Sequence, residues 1–118
     1  MTAIPTVTWV QVSSTDVPAT QGFYGKLFGW TFSDSPYSEI RAGDIPIGGV
    51  AAAEEDYAMF YVEVSDVEAA CAQATELGGR VLVPADKDVD GLRFAHLADR
   101  AGNRFGVFSS APASPAPG

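Results

Sequence analysis

Three side chains able to hold or move a proton, or to hold an anion, lie in strand-like stretches of the second half of the chain. They are Glu63 in "MFYVEV" (59–64), His96 in "RFAHLA" (93–98) and Arg104 in "RFGVFS" (104–109). A carboxylate and an imidazole are the groups that transfer protons near neutral pH, so Glu63 and His96 are the candidate general acid or base. In "MFYVEV" the alternation sets Met59, Tyr61 and Glu63 on one face and Phe60, Val62 and Val64 on the other. The polar group therefore shares its face with an aromatic ring. His96 is the only histidine, and the sequence does not fix whether Phe94 and His96 turn toward that same face. A lone histidine is more often a strand-surface or core residue than a catalyst. The single cysteine, Cys71, excludes an internal disulfide and a cysteine-rich zinc site. It falls on the apolar stripe of a helix, where a thiol is inert. No phosphate-binding glycine loop and no serine elbow is written in the chain.

The elements that would position these groups come twice. "WVQVSSTDVPAT" (9–20) and "MFYVEVSDVEAA" (59–70) each run from an alternating strand into a helix start. The first start is Thr15 or Asp16 with Pro18 in the opening turn; the second is Ser65-Asp66-Val67-Glu68, with the spacing of a capping box. Helix one carries Val17, Thr20, Phe23, Tyr24 and Leu27 on one side, and helix two carries Val67, Ala70, Cys71, Ala74 and Leu77. Gly29 and Gly78 stand where left-handed C-caps are wanted. Asp16 to Asp66 and Leu27 to Leu77 are each fifty residues apart, and one offset holding at both ends of a helix marks a repeat. Short strands follow each helix: "WTFS", "YSEIRA" and "IPIGGVAA", then "RVLVP", "LRFAHLA" and "RFGVFS". The expectation is an α+β fold of two tandem βαβββ units, about 6–53 and 57–109, forming a curled eight-stranded cup with the helices outside. The loop "PADKDVDG" (84–91) reads as a polar cover for the groove, and 110–118, "SAPASPAPG", as a disordered tail.

With 118 residues, 47% hydrophobic and 19% charged, the chain is expected to make a single domain spanning 1–109. No apolar run is long enough to span a membrane, and "MTAIPTV" does not read as a signal peptide, so a cytoplasmic location without a membrane partner is expected. A net charge of -8 with seven Lys plus Arg argues against nucleic acid as a partner.

The duplicated order, with "FYGKLFGW", "ELGGRV" and the turn "DRAGNRFGVF", resembles the vicinal oxygen chelate superfamily of glyoxalase I, extradiol dioxygenases, fosfomycin-resistance enzymes and bleomycin-binding proteins, over roughly residues 6–109. Arg100 departs from the family turn, which commonly reads Asp-Pro-x-Gly-Asn. The resemblance implies a ligand site on the concave face and a divalent metal held by four side chains. Those positions fall here on Val7, Gly48, Met59 and Gly106, with a possible slip of one residue at the Gly48-Gly49 pair. None supplies an imidazole nitrogen or a carboxylate oxygen. The metal site is expected to be erased, and no cofactor is implied.

The resemblance also implies which face is concave. Val7, Trp9 and Gln11, Pro46, Gly48 and Val50, Met59, Tyr61 and Glu63, and Arg104, Gly106 and Phe108 would point inward. The candidate ligand-binding residues are Trp9, Gln11, Gly48, Met59, Tyr61, Glu63, Arg104, Gly106 and Phe108: aromatic walls, a few polar groups, and glycines that leave room for a guest. The competing reading packs these aromatics as core and pairs Glu63 with Arg104 structurally. Metal-free members of the family sequester aromatic or peptidic natural products, so the resemblance implies a homodimeric, bleomycin-resistance-like binding protein. The alternative from another class is a metal-independent isomerase, cyclase or lyase using Glu63 or His96, and a third is an interaction module that binds no small molecule.

Overall fold

The computed structural model of the protein describes residues 4–85, 88–89 and 92–109; the tail at 110–118 lies outside the described residues. The elements run β1 (Val7–Ser14), α1 (Val17–Phe28), β2 (Thr31–Phe32), β3 (Ser38–Ala42), β4 (Ile45–Ala52), β5 (Tyr57–Glu63), α2 (Val67–Glu76), β6 (Arg80–Val83), β7 (Asp88–Val89), β8 (Leu92–Ala98) and β9 (Arg104–Ser109). This is the expected α+β order, with one addition. The two-residue β7 inside the presumed loop pairs with β8, while the remainder of the proposed cover, at 86–87 and 90–91, lies outside the described residues.

The chain divides into two compact units, Thr8–Phe60 and Tyr61 onward with the residues up to Val7, so the division falls inside β5 rather than at the expected 53–57 junction. Strand order in the first unit is β2-β3-β4-β1, and in the second β6-β8-β9-β5. The two orders are equivalent strand for strand. In each, the first strand pairs parallel with the last, and the last pairs antiparallel with the one before it. The fifty-residue repeat in sequence is therefore a repeat in topology.

Each helix begins at an aspartate whose carboxylate accepts an N–H from the first turn: Asp16 from Ala19 at 3.1 Å and Asp66 from Ala69 at 3.0 Å. Asp66, not Ser65, is the cap of α2, so the capping-box spacing is not the device used. Helix α1 ends at Gly29 with φ of 77°, and Gly78 follows α2 with φ of 97°, both in the left-handed region where a Cβ is disfavoured.

In the second unit Val67 of α2 packs on Ala95, Leu97 and Val107 of the sheet, flanked by Ala70, Cys71, Ala74 and Phe105. Full burial of Val67 and Leu97 contributes roughly 1.5–3 kcal/mol each. Leu77, expected on this stripe, is 67% exposed, because α2 stops at Glu76 and the chain turns away through Gly78. Burial and the nearby Glu68 carboxylate push the half-buried Cys71 thiol up, which lowers its thiolate fraction.

In the first unit Ile40 and Val50 are fully buried. Helix α1 meets the sheet through polar contacts, Ser14 Oγ with Thr20 Oγ1 at 2.7 Å and Gln21 Nε2 donating to Ser38 Oγ at 2.8 Å. None of its residues is fully buried. Phe23, Leu27 and Phe28 are 61%, 59% and 56% exposed, so the half of the expected stripe that covers the sheet is Val17, Thr20 and Tyr24.

Candidate functional site

Register decides which side chains share a face. In the second unit Tyr61 lies opposite Gly106, Glu63 opposite Phe108, His96 opposite Gly106 and Phe94 opposite Phe108. Paired residues point to the same side of a sheet. Tyr61, Glu63, Phe94, His96, Arg104, Gly106 and Phe108 therefore form one face, while Ala95, Leu97 and Val107 form the other, under α2. Arg93 marks the helix side independently, since its guanidinium pairs with Glu68 of α2 and holds that carboxyl below its usual range. The orientation of His96, open in the sequence, is thus toward Tyr61 and away from α2.

At the centre of this face the Tyr61 hydroxyl and His96 Nε2 are 2.6 Å apart. Tyr61 is buried, 7% exposed, and His96 half-buried. The rings meet edge to face at a centroid distance of 5.7 Å; Phe108 stands 6.2 Å from Tyr61 and Phe94 5.7 Å from His96. Burial holds the imidazole below its ordinary value, and the positive charge of Arg104 acts in the same direction. His96 is therefore a neutral imidazole near pH 7. Arg104 and Glu63 are exposed at the margins of the face.

Gly106 does not open room for a guest. A Cβ placed there would run into the Tyr61 ring, which occupies that space. Glycine at 106 is what lets the phenol lie flat on the strand.

In the first unit the pairs are Val10 with Gly48, Gln11 with Gly49, Val12 with Val50 and Ser13 with Ala51. Gly48 and Val50 thus share the α1 side with Val10 and Val12, a correction to their expected inward position by one residue. A Cβ at Gly48 would strike the Val10 carbonyl, so that glycine permits close strand approach rather than ligand access. The glycine on the face of Trp9 and Gln11 is Gly49, and Tyr37 lies over it. Trp9 Nε1 donates to the Tyr37 hydroxyl at 2.9 Å, and the Gln11 amide donates to Ser13 Oγ at 3.2 Å. Burial raises the Tyr37 phenol while the Trp9 bond lowers it. Tyr37 and Ser13 were not among the expected site residues, although the alternation in "YSEIRA" already put Tyr37 on the Glu39 and Arg41 side.

Of the four family metal positions, Val7 is exposed and begins β1, Met59 is buried, Gly106 lies under Tyr61, and Gly48 faces α1. None carries a nitrogen or oxygen ligand in its side chain, and Gly49 in place of Gly48 changes nothing. The residues present do not fit a divalent ion at those positions. Among the described residues no group of three or more His, Cys, Asp or Glu side chains is placed to hold one elsewhere.

A separate small cavity of about 150 Å³ lies on the helix side of the second unit, lined by Ala74, Leu77, Gly79, Ala98, Arg100 and Phe105 among others. The stem of Arg100 passes over Gly78 there. Among the described residues no helix is long and apolar enough to cross a membrane.

Two curated proteins, both described as "Putative glyoxylase CFP32" and coming from Mycobacterium bovis and Mycobacterium tuberculosis, are 29% identical to this chain over 119 aligned positions, covering 89% of it and 46% of their own length. The chain thus spans about half the length of the curated relatives it matches. Homoprotocatechuate 2,3-dioxygenases have similar structures. A variant from B. fuscum aligns with TM-score 0.66 and 18% identity over 89% of this chain and 32% of that one. The Arthrobacter globiformis enzyme aligns with TM-score 0.66 and 18% identity over 89% and 36%. At that identity the likeness is one of fold. The glyoxalase-like domain family matches residues 9–108, the stretch that holds both repeats, and the chain belongs to that family within the superfamily it resembled by sequence.

Proposed function

We propose that this protein binds a small planar molecule, aromatic or peptidic, without a metal, in the manner of antibiotic sequestration. The observation that carries the reading is the Tyr61 face of the second unit, where Phe94 and Phe108 flank a hydrogen-bonded Tyr61–His96 couple. Flat apolar walls around a few fixed polar groups are the composition of a small-molecule site. The Trp9, Tyr37 and Gln11 face supports the same reading from the first unit. Glu63 and Arg104 would orient a guest from the margins. A homodimer is part of the proposal: Phe23, Leu27 and Phe28 of α1 are exposed, and α1 carries no acidic residue in a chain of net charge -8. A cytoplasmic setting suits a chain whose single cysteine has no disulfide partner within it.

The test is fluorescence titration of Trp30→Phe protein, in which Trp9 is the only indole, with a panel of planar aromatic compounds. Saturable one-to-one quenching, abolished without loss of fold by Trp9→Ala, supports binding; a panel that leaves Trp9 unquenched refutes its place in a site.

A second reading is favoured by one observation, the 2.6 Å contact of the Tyr61 hydroxyl with the half-buried His96 Nε2: a metal-independent isomerase, cyclase or lyase with His96 or Glu63 as acid or base. Turnover of a bound compound, lost in His96→Gln or Glu63→Gln, would establish it over sequestration.

A further inference from the structure

Resting on that reading of the Tyr61 face, we propose that His96 Nδ1 is the recognition atom of the site and that it donates its N–H to an acceptor oxygen, carboxylate or carbonyl, on the edge of a planar ligand. The inference starts from what each ring nitrogen touches. Nε2 is committed to the Tyr61 hydroxyl at 2.6 Å. Nδ1 has no hydrogen-bond partner among the described residues, and the ring is half-buried rather than enclosed. A neutral imidazole has one donor and one acceptor nitrogen. When the Tyr61 O–H donates to Nε2, the proton of the imidazole must sit on Nδ1.

Tyr61 is well placed to impose that tautomer. Its ring is fixed on Gly106, where no side chain intervenes, and it is buried, so its hydroxyl proton needs a protein acceptor. Tyr61 is thus a positioning residue, and His96 is the group that touches the ligand. Phe94, next to His96, supplies a flat neighbour for the ring of a guest. The charged groups on this face are Arg104 and Glu63. The positive charge of Arg104 disfavours protonation of the imidazole and favours an electron-rich, rather than a cationic, group on this face. An Nδ1–H donor on a face that carries Arg104 matches a planar acid or ketone and mismatches a planar amine.

The test uses two probes of one shape, 4-methylbenzoate and 4-methylbenzylammonium, on protein labelled with ¹⁵N histidine and ¹³C phenylalanine. The single histidine gives one ring spectrum. The free protein is expected to show Nδ1 protonated and Nε2 as the acceptor. 4-Methylbenzoate should shift the Nδ1 proton and bind about tenfold or more tighter than the ammonium probe, roughly the worth of one such hydrogen bond. His96→Phe should erase the preference, and Tyr61→Phe should mix the tautomers and weaken it. A free protein with the proton on Nε2 overturns the inference. Equal binding of both probes, with shifts at Phe94 and Phe108, overturns it too while leaving the planar-ligand reading intact. If neither probe perturbs His96, Phe94 or Phe108, both fail together.

Discussion

Tyr61 lies flat against Gly106, its partner in the parallel β5–β9 register, in the space that a side chain at 106 would occupy. The position at which the family resemblance implies a metal ligand is the seat of a phenol, and that phenol is bonded to the only histidine of the chain.

Gly106→Ala should therefore destabilise the protein by roughly 1–3 kcal/mol, the usual cost of forcing an extra methyl into a packed site. Chemical denaturation measures it. In the double variant with Tyr61→Ala the methyl has room, so the two effects should be clearly less than additive. Additive losses would mean that the ring is not what fills the space.

Stability should fall in mildly acid solution because of His96. Its folded pKa is depressed, so at pH above the ordinary histidine value of about 6.5 it is neutral in both states and stability is at its full value. As the pH drops through 6.5 toward the lower folded value, the unfolded chain takes up the proton first and stability declines. Asp99, held below its ordinary value by bonds from Asn103, adds a separate loss at lower pH, as the unfolded chain takes up that proton from about 3.8 downward while the folded one still resists it. Thermal melts from pH 8 to 5 should lose the first decline in His96→Gln. An unchanged profile would place the imidazole in water.

Association through α1 should appear in sedimentation velocity as a dimer that Phe23→Lys with Phe28→Lys converts to monomer at unchanged helix content. Each added lysine exposes charge where an apolar contact was. A wild-type monomer at high concentration would remove the dimer from the proposal, leaving the patch for another partner or for further chain.

The bond from Trp9 to Tyr37 lowers a phenol that burial raises. Trp9→Phe should move that tyrosine's ionisation further up, followed by ultraviolet absorbance against a Tyr37→Phe reference. No movement would mean the two side chains do not share a face in solution.

Alternation and repeat made most of the architecture legible. Strand period puts Met59, Tyr61 and Glu63 on one face of β5, and Arg104, Gly106 and Phe108 on one face of β9; the registers join those two sets into one face. Gly48 was misplaced because two adjacent glycines carry no side chain to report parity, and β4 contains an irregularity opposite Ile40 and Arg41. Phe23 and Leu27 illustrate a different limit. An apolar stripe shows that a helix has a face to cover, but not that its own sheet covers it; there small polar contacts from Thr20 and Gln21 do the docking. His96 was undecidable because "RFAHLA" offers apolar residues at both parities. Only pairing with β9 resolved it.

The most direct test of metal-independent ligand binding is native mass spectrometry on gently purified protein, with and without prior exposure to Ni, Mn, Fe and Zn. The account predicts no retained divalent ion under either condition, and an organic adduct whose mass identifies the guest. One tightly held metal ion per site would contradict it, because Val7, Gly48 or Gly49, Met59 and Gly106 could not be what holds that ion.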